Sequence, residues 1–86
     1  MLTLTARRPN TAAVDVDLLI RAANQLRDNA RQFLREMRPA AAHRAAQDEG
    51  LLRRHAIAAA VAGVHGRRLP GNHHAVMTYA RAVLAR

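Results

Sequence analysis

VDLLIRAANQLRDNARQFLREM, residues 16–37, is the stretch on which the fold turns. Val16, Leu19, Ala23, Leu26, Ala30, Phe33 and Met37 recur at steps of three and four. That spacing puts all seven on one side of an α-helix and describes three heptads of a packing seam. Asp15 and Asp17 stand near the start, where negative charge suits the helix dipole, and Arg35 and Arg38 near the end, where positive charge does. Pro39 follows, and the residue before a proline avoids the α region. The spacing therefore predicts one helix from about Thr11–Asp15 to Arg38. Arg27, Arg31, Arg35 and Arg38 fall within an arc of about 80° on the side opposite the seam, at 100° per residue. Asp17 and Asp28 interrupt this stripe and can pair with Arg21 and Arg31. A solvated face laced with weak ion pairs is the bland alternative to a binding face.

Pro39 can open a second helix, because its missing N–H is not needed at the first position. Ala40 to Gln47 favour helix, and Gly50 either divides this segment or only weakens it. AIAAAVAGV, residues 56–64, is apolar all round. A helix without a solvent face has to be buried on most sides, and two neighbours in so short a chain do not easily surround it. The expectation is that 56–64 lies at the centre of a bundle or in an interface between copies. Gly66 suits a helix C-terminal cap. Residues 67–72, with Pro70-Gly71, read as a loop. Asn72 can cap a last helix in which Val76, Tyr79, Ala80, Val83 and Leu84 share a face and Met77 lies at its edge. Before residue 11, Leu2, Leu4 and Ala6 alternate with polar residues, which suits a flexible arm or a short strand.

The expected fold is all-α, a small bundle of three or four helices. Residues 1–10 form an arm and 11–86 a single helical domain. Alanine supplies 20 of the 86 residues. A domain this small buries only about 60–65% of its unfolded surface, and so much alanine makes a lone monomer marginal. A homodimer is expected, packed through Val16, Leu19, Leu26, Phe33 and Met37 of the seam and through Ile57, Val61 and Val64.

Absent residue types narrow the function. The chain has no Cys, Ser, Lys or Trp. Disulfides, thiolate zinc sites, Ser and Cys nucleophiles, Walker-type lysine loops and Schiff bases all go with them. The five histidines, His43, His55, His65, His73 and His74, show no metal-helix spacing and read as surface or cap residues, with His73 partly packed. No enzyme, cofactor, metal or small-molecule substrate is expected. No stretch is apolar for the roughly 20 residues of a membrane span, nor does residues 1–10 contain a signal-peptide core, and the expected location is cytosolic.

All 14 basic side chains are Arg, against 6 acidic residues, a formal net charge of +8. A base-composition bias in the genome explains Arg in place of Lys but not that excess. A charge of this size points to an anionic partner. The candidate contacts are Arg27, Arg31, Arg35, Arg38, Arg44, Arg53, Arg54, Arg67 and Arg68. A helix-turn-helix pivoting on Gly50 would start its recognition helix near Arg53, but 56–64 offers no polar face to a groove. A ribbon-helix-helix reading would use Thr3, Thr5 and Arg7, and conflicts with a first helix unbroken to Arg38. Base stacking needs exposed aromatics, while Phe33 and Tyr79 lie on apolar faces. Two expectations remain. One is a nucleic-acid-binding protein of regulatory or architectural type that contacts phosphates through arginine. The other is an inhibitor, adaptor or complex subunit whose basic face docks on an acidic protein surface.

Overall fold

A computed structural model describes residues 11–86; the expected arm, with Thr3, Thr5 and Arg7, lies outside the described residues. Three helices make up the described chain: α1, Thr11–Arg35; α2, Pro39–His65; and α3, His73–Ala85. No strand occurs among the described residues. α1 and α2 pack along their length as an antiparallel hairpin, and α3 returns to lie mainly against α1.

The core is the seam of α1 closed by its own chain. Leu19, Ala22, Ala23 and Leu26 meet Ala45, Leu52 and Ala56 of α2 and Met77, Ala80 and Val83 of α3. Half of these residues are alanine, so the helix backbones approach closely and few large side chains fill the space between them. Val16, Ala30 and Phe33 pack at the margin of this core. Leu19 and Leu26 are buried to 0% and 3% exposure within one chain. Two neighbouring helices are enough to cover the seam because alanine lets them come near.

Met37 also departs from expectation. α1 ends at Arg35, three residues before the expected boundary. The Arg38 N–H donates to the Phe33 carbonyl at 2.8 Å and the Met37 N–H to the Leu34 carbonyl at 3.0 Å. These two bonds define a Schellman turn, with Met37 in the left-handed region at φ 58°. Its side chain is 85% exposed and takes no part in the seam. Pro39 then opens α2 as its sequence position predicts.

α2 runs unbroken through Gly50, which removes the turn that a helix-turn-helix would need. Its apolar stretch is not buried all round. Ala56, Ala59 and Ala62 point into the core, while Ile57, Val61 and Val64 are 64%, 46% and 81% exposed. The small side chains are the ones that fit against α1, so the branched ones are left outside. Gly66, at φ 64°, caps α2 with a second Schellman turn, its own N–H bonding Gly63 and that of Arg67 bonding Ala62. Asn72 precedes α3, but its side chain makes no capping hydrogen bond. Met77, expected at the edge of α3, is buried at its centre.

Candidate anion-binding surface and polar junction

Arg27, Arg31 and Arg35 stand at successive turns of α1, all exposed. Arg27 lies 4.0 Å from Asp28, and Arg35 bonds the Gln32 carboxamide oxygen through Nε and Nη2 at 3.2 and 2.7 Å. Asp28 thus sits against Arg27 rather than Arg31, and no carboxylate among the described residues pairs with Arg31. Asp17 pairs with Arg21 at 3.1 Å, as its spacing suggests. Such exposed pairs contribute little to stability and open readily for a ligand.

Arg38 leaves the stripe because the helix has ended. Its guanidinium lies 4.8 Å over the Phe33 ring and 3.6 Å from Glu36. Arg53 links α2 to α1. It is half-buried, bonds Glu49 through Nε and Nη2 at 2.8 and 2.7 Å, and reaches across to Asn24 of α1 at 3.0 Å. Arg44 and Arg54 are exposed on α2, and Arg67 and Arg68 are exposed after its cap. One helix length of about 40 Å, 27 residues at ~1.5 Å each, separates the Arg38 end of α2 from the Arg67 end. The nine arginines therefore occupy several places, and the α1 stripe is the one set of three on a single face.

The fold assembles a second polar feature from all three helices. His73 Nε2 lies 2.7 Å from Asp15 Oδ2, and His73 Nδ1 lies 2.8 Å from His55 Nε2. An ionised Asp15 only accepts, so His73 carries its proton on Nε2 and accepts at Nδ1 from His55. His55 is buried, and burial lowers its pKa below 6.5, the nearby charge of His73 adding to the effect. Tyr79 donates to Asp48 Oδ2 at 2.5 Å. Burial, then the bond to Asp48 and its charge, pushes the Tyr79 pKa up to about 12, with Arg86 opposing. Every side-chain nitrogen and oxygen sealed from solvent among the described residues has a partner.

The spacing arguments missed this junction because its members are 18 and 58 residues apart. A signal was nonetheless present. Asp15 continues the buried stripe Leu19, Ala22, Leu26; His55 continues Ala59 and Ala62; His73 continues Met77 and Ala80. A polar residue in register with a buried stripe needs a partner from another element.

Several grooves cut the surface, two of them beside the exposed branched residues of α2 or the arginines at its start. One, of about 500 Å³, runs between the first turns of α1 and the end of α2, lined by Ala13, Val16, Asp17, Ile20, Ala60, Gly63 and Val64. The other, of about 360 Å³, lies where the end of α1, the start of α2 and the end of α3 meet. No group of three or more His, Asp or Glu among the described residues is arranged to hold a metal, and no helix among them is long and apolar enough to cross a membrane. Comparisons with protein-family models, curated proteins and solved structures gave no match.

Proposed function

We propose that this chain is a small nucleic-acid-binding protein that grips phosphates through Arg27, Arg31 and Arg35. The observation that carries the reading is their placement at every turn of one exposed helical face, with Arg31 free of any carboxylate among the described residues. Successive guanidiniums are about 6 Å apart along the axis, four residues at ~1.5 Å. Arginine offers bidentate N–H pairs that match phosphate oxygens and stays charged at any accessible pH. Neither aromatic ring is presented for base stacking: Phe33 lies under Arg38 and Tyr79 is half-buried against Asp48. The contact is therefore with the backbone, and binding is indifferent to sequence.

A salt titration of duplex DNA and RNA binding tests it. The wild type should lose affinity steeply with salt, and an Arg27/Arg31/Arg35→Ala variant should show a log–log slope shallower by about three, near 0.9 per phosphate. A variant that binds like the wild type, or a wild type indifferent to salt, removes the reading.

A second reading is a protein-interaction module, favoured by Ile57, Val61 and Val64 standing exposed beside the groove lined by Val16 and Ile20. Scattered apolar residues are ordinary on a surface, but these adjoin a carbon-lined groove. The α1 arginines begin about 10 Å further along the helix, seven residues at ~1.5 Å from Ile20 to Arg27, so an acidic partner would extend along α1 to meet them, and a second copy of the chain would use this surface rather than the seam. One stoichiometric protein recovered after nuclease treatment favours this reading over the first.

A further inference from the structure

The groove at the α1–α2 turn gathers three arginines, two from the start of α2 and one from the end of α3. These are Arg38, Arg44 and Arg86. The Arg38 guanidinium is held at the rim by Phe33. Arg44 is exposed and has no carboxylate partner among the described residues. Arg86 lies near enough to the Tyr79 hydroxyl for its charge to be felt there. Asp48 is the acidic lining residue, and the Tyr79 hydroxyl already occupies one of its oxygens. Asn29 accepts from Gln25 through its oxygen, which leaves its amide N–H groups to donate. Beneath these groups the lining is apolar, from Leu26, Phe33, Ala41 and Ala45.

We propose that this groove binds a phosphate monoester carried on a compact apolar body, the chemistry of a nucleoside monophosphate or of the 5′-phosphate end of a strand. The volume, about 360 Å³, is that of a small-ligand site. Three guanidiniums lining one groove suit a dianion with three acceptor oxygens. A bare anion has no use for the apolar floor, and an uncharged ring has none for the arginines. The site departs from the expectation of no small-molecule ligand. It does not depend on the α1 stripe, whose arginines line no part of it.

The test is a ¹H–¹⁵N NMR titration of the full chain at low salt with AMP, inorganic phosphate and adenosine. AMP should move the Asn29, Arg44 and Tyr79 resonances and bind about tenfold tighter than phosphate, with adenosine silent. Arg44→Ala should weaken AMP about tenfold; the side chain is exposed, so the fold is retained. The Arg27/Arg31/Arg35→Ala variant should bind AMP like the wild type, which keeps failure here distinct from failure of the duplex-binding reading. Phosphate matching AMP, shifts spread over Arg67 and Arg68, or Arg44→Ala binding unchanged would each overturn the proposal. A 5′-phosphorylated oligonucleotide binding tighter than its 5′-hydroxyl twin, with the difference lost in Arg44→Ala, assigns the site to strand ends. Equal binding of the two, with AMP binding retained, assigns it to free nucleotides.

Discussion

Tyr79 is the single tyrosine of a chain without tryptophan, so its ionisation can be followed alone. Burial and the bond to Asp48 raise its pKa to about 12 from 10.0. The sign follows: a raised pKa marks stability fully present below pH 10 and lost as pH climbs through the folded value. Absorbance at the phenolate band should show a midpoint near 12 in the wild type, and Asp48→Asn should bring it back toward 10 by removing the carboxylate charge. A wild-type midpoint at 10 would mean that the bond does not persist in solution. Residue-scale legibility was uneven for a related reason. Sequence reads Arg53 and Arg31 alike, as exposed arginines on helices. Partial burial, the bonds to Glu49 and the reach to Asn24, 29 residues away, distinguish the bridging Arg53 from the free Arg31.

At the scale of elements, the helices and most of their ends were legible, and the end of α1 was not. The seam of α1 follows from its spacing, since burial of one face is a local periodic property. The end at Arg35 depends on a left-handed residue, and Met37 carries none of the usual marks of one. Gly66, which does, was read correctly. Two Schellman turns in one chain, one built on glycine and one on methionine, give an internal comparison. A non-glycine residue in the left-handed region costs about 1 kcal/mol relative to glycine. The Met37 side chain, 85% exposed, contributes almost no packing to offset that. Met37→Gly should therefore stabilise the protein by at most about 0.6 kcal/mol, the strain relieved less about 0.4–1 kcal/mol for glycine's added freedom in the unfolded chain. Urea denaturation checks this, and a lower midpoint in the variant would show that Met37 contributes contacts of its own.

For the whole molecule, three helices could be foreseen but not how they close on one another. The +8 charge suggests an anionic partner, yet the nine arginines divide among a stripe, a groove, a bridge, a loop and, for Arg54, a separate exposed place on α2, which only tertiary packing determines. The same holds for Asp15, His73 and His55, the polar chain that joins all three helices. Its proton count makes a prediction for the intact fold. With Asp15 ionised, the pair of imidazoles can take one added proton and keep both contacts, because His73 then donates to Asp15 and to His55. A second proton places N–H groups on both sides of the 2.8 Å His55–His73 contact, which cannot survive. His55 has its pKa lowered from 6.5 by burial, so the unfolded chain takes up this proton first. Stability is then whole above pH 6.5 and falls as pH drops from 6.5 through the folded value of His55. The urea midpoint should be flat from pH 8 to 7 and decline toward pH 5. His55→Leu should start lower, since it leaves His73 Nδ1 without a donor, and should decline less over the same range. Equal slopes for the two proteins would assign the acid sensitivity elsewhere.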